Sequence, residues 1–266
     1  MTQRTSQLLN RLSESATIAM ARKATELKKS GVDVISLSLG EPDFDTPEVL
    51  KAAGIKAIEE NITHYTPVPG ILAVREAISQ KFKRDNGLDY APDQIVVSNG
   101  AKQSITNVVL SLVDPGEEVI LPAPYWVSYA DMVALAGGTS KVLATSIEHD
   151  FKIQPEALEA AITDKTRLLI YSSPCNPSGS VYTQSEIDAL AEVLQRHPQV
   201  YIISDEIYEL INFTGKHASI GTIPALKDRV ITVNGVSKGF AMTGWRLGYI
   251  GAPTWIAKAC SKVQAQ

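Results

Sequence analysis

From about residue 92 onward, short runs rich in Val, Ile and Tyr alternate with longer segments of helical period. No other feature of the chain constrains its fold so strongly, because this alternation signals βαβ units and hence a mostly parallel sheet between helices. Strands are predicted at Gln94 to Val97, Glu118 to Leu121, Ser140 to Ala144, Arg167 to Ser172, Val200 to Ser204, Val230 to Val233 and Leu247 to Gly251. Helices are predicted between most of them, at Lys102 to Leu112, Tyr125 to Ala136, Pro155 to Ile162 and Gln184 to Arg196. Their ends are marked by Asp114-Pro115-Gly116, by Gly137-Gly138 and by Pro198, while Pro155 opens the third. Such sheets bind ligands in the crevice beyond the carboxyl ends of their strands.

The first ninety residues read differently. A helix is expected at Thr17 to Ser30, a strand at Val34 to Leu39, and a proline-broken loop from Gly40 to Pro47. Two further helices, Glu48 to Glu60 and Ile71 to Arg84, flank the irregular loop His64 to Gly70. A last helix, Pro253 to Gln266, has neither Gly nor Asn after it to cap it.

Bulk composition narrows the function. The chain has 266 residues, 44% hydrophobic and 20% charged, which excludes a disordered or collagen-like protein. Lys and Arg number 25 against 29 Asp and Glu, a net charge of -4, so nucleic acid and anionic membrane are excluded as bulk partners. No stretch approaches the ~20 apolar residues of a membrane span, and the opening segment lacks the apolar run of a signal peptide. A cytoplasmic protein is expected. Cys175 and Cys260, with no CxxC spacing, provide neither a disulfide framework nor a zinc site, and no metal is expected.

Four polar clusters fall where predicted strands end. Ser98-Asn99-Gly100-Ala101-Lys102 leaves backbone N–H groups at a helix start, either to hold an anion or simply as a glycine turn. Ser172 to Gly179 sets Asn176 between two prolines, which suits a positioned donor as well as a plain turn. Ser204-Asp205-Glu206-Ile207-Tyr208 puts an acid at the end of a buried strand, where it needs a cation or serves as a helix N-cap. Val233 to Phe240 carries Ser237 and Lys238, with Arg246 close behind. Gly235 to Gly239 also matches the hydrolase elbow GxSxG, but all four histidines precede Ser237, and that enzyme needs its histidine after the serine.

Taken together, an imine-forming lysine, a buried acid, a phosphate cradle and an arginine are the parts a pyridoxal phosphate enzyme needs. Ser-Asn-Gly-Ala-Lys-Gln, Pro-Tyr-Trp, Asn-Pro-Ser-Gly, Ser-Asp-Glu-Ile-Tyr and Ser-Lys-Gly-Phe-Ala-Met-Thr-Gly-Trp-Arg occur in that order. The chain from about Ile35 onward thereby resembles the class I aminotransferases, nearest to the bacterial aspartate aminotransferases. The resemblance implies a fold-type I architecture: a three-layer α/β/α large domain with a mostly parallel seven-stranded sheet, here residues 47–266, after an N-terminal arm and small-domain portion at 1–46. It implies that Lys238 forms the imine with pyridoxal 5'-phosphate and moves the proton at the substrate α-carbon. Asp205 would pair with the ring nitrogen, Asn176 and Tyr208 with the ring oxygen, and Trp126 would stack on the ring. Gly100, Ala101, Lys102, Ser237 and Arg246 would hold the phosphate. Tyr65 would reach the phosphate of a neighbouring subunit in a homodimer. Gly40, Trp126 and Asn176 would meet the substrate.

The activity implied is transfer of an amino group from aspartate to 2-oxoglutarate. Two alternatives remain at this level: another lyase or transferase of the same fold, and a pyridoxal-binding regulatory module. Family members continue past the match to a C-terminal small domain bearing the arginine that grips the substrate α-carboxylate, for which these residues offer no match. A truncated chain that keeps its cofactor contacts but lacks competent transamination is therefore expected.

Overall fold

The computed structural model describes residues 5–12, 16–37 and 39–266. The seven strands predicted from residue 92 onward all form, within two residues of their expected ends: β1 (Ile95–Ser98), β2 (Glu118–Ala123), β3 (Thr139–Ala144), β4 (Thr166–Ser172), β5 (Tyr201–Asp205), β6 (Val230–Gly235) and β7 (Gly248–Gly251). They make one sheet in the order β1-β7-β6-β5-β4-β2-β3. Only β7 runs antiparallel to its neighbours, so the other six strands share one direction and end at one edge. The sequence left this reversal unspecified, because β7's short apolar run reads the same in either direction.

Eight α-helices lie among the described residues: α1 (Ala16–Lys29), α2 (Glu48–Glu59), α3 (Leu72–Lys81), α4 (Ala101–Leu112), α5 (Ser128–Ala136), α6 (Pro155–Ala161), α7 (Gln184–Gln195) and α8 (Thr254–Gln264). Alternate strand residues feed opposite faces of the sheet, as a period of two requires. Leu168 and Ile170 of β4 join Ile105, Val109, Val133 and Ile256 under α4, α5 and α8. Leu169 and Tyr171 join Leu158, Ile187 and Leu190 under α6 and α7. Burial on both faces explains why these strands are continuous apolar runs, and it makes the three layers. Helix α7 starts at a capping box, Thr183 Oγ1 accepting from Glu186 N–H at 3.3 Å.

Two expectations need correction. Residues 32–37 take no regular secondary structure and pair with no strand, and Ser38 lies outside the described residues, so the strand expected at Val34 to Leu39 is not seen. Its apolar alternation meets no sheet edge in this chain: Ile35 is 85% and Leu37 91% exposed. The second correction concerns Trp126, which precedes α5 by two residues rather than starting it. The helix expected at Ile71 to Arg84 is α3 continued by a π turn, Phe82–Asn86, which Gly87 ends at φ +68°.

One glycine fixes how the helices meet the sheet. Gly248 pairs with Ser98 on one side and Gly235 on the other, and a Cβ there would strike the backbone of Gly100 and Ala101. The first turn of α4 therefore sits directly on β7, next to the end of β6.

Candidate active site

The residues following the shared strand edge form one continuous set of contacts. Lys238, three residues past β6, donates from Nζ to the Gly40 carbonyl at 2.5 Å and lies 5.5 Å from the centre of the Tyr208 ring. Asn176 Nδ2 donates to the Tyr208 hydroxyl at 3.5 Å, so the loops after β4 and β5 converge on the lysine. Thr46 Oγ1 donates to the Ala241 carbonyl at 2.6 Å and Thr243 Oγ1 to the Glu41 carboxylate, tying segment 40–47 over Lys238. Burial lowers the Lys238 pKa against the opposing pull of Glu41, and Arg246 lowers it further.

Asp205 ends β5 and is 3% exposed. Its Oδ2 accepts from the Tyr129 hydroxyl at 2.6 Å and its Oδ1 from the Ile207 N–H at 3.2 Å. Among the described residues no basic side chain pairs with it. Burial pushes its pKa up to about 6, against the lowering effect of these two donors. Of the two sequence alternatives, a cation or an N-cap role, this chain supplies no cation: a phenol and the Ile207 N–H two residues on are the donors to Asp205. Burial followed by the nearby Asp205 charge raises the Tyr208 pKa.

Arg246, whose charge acts on Lys238, covers the start of α4. Gly100 caps α4 at φ +82° without any side-chain hydrogen bond, leaving the N–H groups of Ala101 and Lys102 at the open helix end. Arg246, at φ +57°, donates from Nη1 to the Thr243 carbonyl at 2.9 Å and from Nη2 to the Asn99 carbonyl at 3.5 Å. Its guanidinium covers Gly100 so closely that any Cβ there would collide with it. Ser237 is buried in the turn that carries Lys238. Lys102 is exposed, with its ammonium 5.0 Å over the Trp126 ring, and that ring meets Tyr129 edge-on at 5.4 Å.

The expected residues thus gather at one edge, with one exception. Tyr65 is fully exposed on the loop before α3 and makes no part of this set of contacts. Sequence reasoning missed Tyr129 and the Thr243–Glu41 tie. Tyr129 follows Trp126 by three positions, but no local signal links it to an aspartate 76 residues away. Behind the site, ligand atoms of Glu206, Glu209 and His217 lie within 4.8 Å of one another. Lys81 pairs with Glu209, and His217 Nε2 lies 2.9 Å from Glu206, so protein cations already face these acids.

A family profile described as aminotransferase class I and II matches residues 32–266. A bifunctional aspartate aminotransferase and glutamate/aspartate-prephenate aminotransferase of Petunia hybrida is 52% identical over 97% of this chain and 54% of its own length. An aspartate/prephenate aminotransferase of Cereibacter sphaeroides is 50% identical over 98% of this chain and 66% of its own. The crystal structure of an aspartate aminotransferase from Rhizobium meliloti superposes with a TM-score of 0.96 at 42% identity, covering 99% of this chain and 66% of that one. The aspartate aminotransferase of Thermus thermophilus with maleate gives 0.96 at 43%, covering 100% and 69%. The chain spans about half the length of the Petunia relative and about two thirds of the others. With its sheet order accounted for and the family profile spanning residues 32–266, the chain belongs to the class I and II aminotransferases, a family whose cofactor is pyridoxal phosphate.

Proposed function

We propose that this chain forms the cofactor-holding part of an aminotransferase that passes the amino group of aspartate to 2-oxoglutarate. The observation that carries the proposal is Asp205: a carboxylate 3% exposed with no basic partner is costly unless a cation arrives, and the ring nitrogen of pyridoxal phosphate is such a cation when protonated. The anion cradle at Gly100, Ala101, Lys102, Ser237 and Arg246 suits the phosphate, and Lys238 stands between the two. These residues therefore fit the group. When bound, it supplies an electron-withdrawing ring that takes up the electron pair of a broken Cα–H bond.

The chain's own residues do the rest. Lys238 would hold the cofactor through its amine, and its lowered pKa favours the neutral amine that can accept a proton at the substrate α-carbon. Asp205 would hold the ring nitrogen's proton, Asn176 and Tyr208 would donate to the ring oxygen, and Trp126 would cover the ring. Gly40 presents backbone to the substrate, where a side chain would intrude. Tyr65 serves the phosphate of a second copy in a homodimer. Residues 1–46 form an arm and part of a small domain, while 47–266 form the large domain. Two unpaired cysteines are in keeping with a cytoplasmic protein. The choice of a dicarboxylic amino acid rests on the names of the relatives and on the maleate of the Thermus structure.

Arg75, Arg167 and Arg229 donate to backbone carbonyls away from the lysine, and Arg84 and Arg196 pair with Asp85 and Glu159. These five are thereby engaged away from Lys238, and none of them is placed to clamp a substrate carboxylate there. The test is a single-turnover experiment on the chain loaded with pyridoxal phosphate. Aspartate is expected to bleach the visible absorbance and release its 2-oxo acid. A spectral change with no oxo acid after prolonged incubation would make the chain a binder and overturn the proposal. Arg246→Lys keeps the charge but loses the planar fork, and the dissociation constant for pyridoxal phosphate is expected to rise about tenfold, measured by equilibrium titration.

A further inference from the structure

We infer that Tyr129 is a positioning residue, which orients the Asp205 carboxylate and holds it ionised for the ring nitrogen. The inference rests on the cofactor reading above. Three observations carry it. The Tyr129 side chain is 1% exposed, and its hydroxyl donates to Asp205 Oδ2 at 2.6 Å, shorter than the 3.2 Å bond from Ile207 to Oδ1. The same ring is held edge-on against Trp126, the residue proposed to cover the cofactor, so one short stretch of chain sets both the stacking face and the acid's donor. A carboxylate in this position has no cation to hold it, and a phenol hydroxyl is a strong uncharged donor to it.

The consequence is local and electrostatic. A hydrogen bond to a buried carboxylate favours its charged form, and it also removes the side chain's freedom to rotate away from the ring nitrogen. The titratable groups facing this pair are few. Glu206 raises the Asp205 pKa, the Asp205 charge raises that of Tyr208, and the Cys175 thiol faces the Tyr129 hydroxyl from the loop after β4. Tyr129 is the one side chain among those acting on Asp205 that lowers its pKa.

The test is Tyr129→Phe, which removes one oxygen and keeps the ring. In the cofactor-free protein the Asp205 carboxyl, followed by carbon-13 resonance, is expected to titrate about one pH unit higher, a tenfold change in its proton affinity. In the loaded protein, the rate of α-proton loss from aspartate is expected to fall about tenfold in the native background and to be unchanged by the same substitution in an Asp205→Asn background. A merely structural tyrosine would leave the Asp205 titration where it is, and that result would overturn the inference. If the phenylalanine variant does not fold, 3-fluorotyrosine at position 129 serves instead: its more acidic hydroxyl donates more strongly, so the Asp205 midpoint should move down, and an unmoved midpoint again refutes the role. Failure of the native chain to take up pyridoxal phosphate would instead refute the cofactor reading, and the positioning role with it.

Discussion

Replacing Lys238 by alanine is expected to abolish the borohydride-reducible adduct with pyridoxal phosphate, leaving only non-covalent binding. Lys238 reaches into the set of contacts formed by Tyr208, Gly40 and Arg246, and burial lowers its pKa. Lys102, a second lysine at this edge, has its ammonium over the Trp126 ring rather than against Tyr208 and Gly40, where that of Lys238 lies. Arg246 and the open end of α4 are untouched by the substitution, so the phosphate contacts should survive. The measurement is reduction with borohydride, digestion and mass spectrometry of the modified peptide. A variant that still carries a stoichiometric adduct would move the role to another lysine.

Asp205→Asn is expected to separate stability from function. An amide cannot balance the charge of a protonated ring nitrogen, so the rate of α-proton loss should fall about 10²- to 10³-fold, the scale of losing one preorganised electrostatic contact in a buried site. The stability effect has the opposite sign. The folded-state pKa of Asp205 lies near 6, above its ordinary 3.8, so folding favours the protonated form and ionisation is penalised. Relative to the amide, the native protein therefore loses stability as pH rises from about 4 through about 6, by about 2 to 3 kcal/mol. Chemical denaturation of the two cofactor-free proteins at pH 4 and pH 7.5 measures this. Equal stability at pH 4 and a more stable variant at pH 7.5 is the expected pattern. A native protein that gains on the variant with rising pH would mean that Asp205 already has a cation in the folded chain.

Much of the site was legible before any coordinates because its residues sit in short motifs at strand ends. Val230 to Gly235 is an unbroken apolar run followed by Val236, Ser237 and Lys238, so the position of the lysine at a sheet edge follows from local pattern. The same holds for Asp205 after β5 and for Gly100 before α4. The segment Val34 to Leu39 misled because alternation specifies a pleated conformation and not a pairing partner. Tyr129 escaped notice for the converse reason. It lies in an apolar helix and reads as core, which it is, while its hydroxyl's partner is chosen by how α5 packs over β5.

What the sequence by itself determined was the kind and order of the elements and the chemistry at each strand's end, since period, capping and turn residues act over a few positions of chain. Only the tertiary structure decided which ends lie together. β7 inserts in reverse between β1 and β6, and its Gly248 lets α4 settle against the sheet, which brings Gly100 and Arg246 to within contact across 146 positions of chain. That arrangement depends on burying apolar faces against one another over the whole molecule. Such packing is a property of the assembled layers, and no window of sequence contains it.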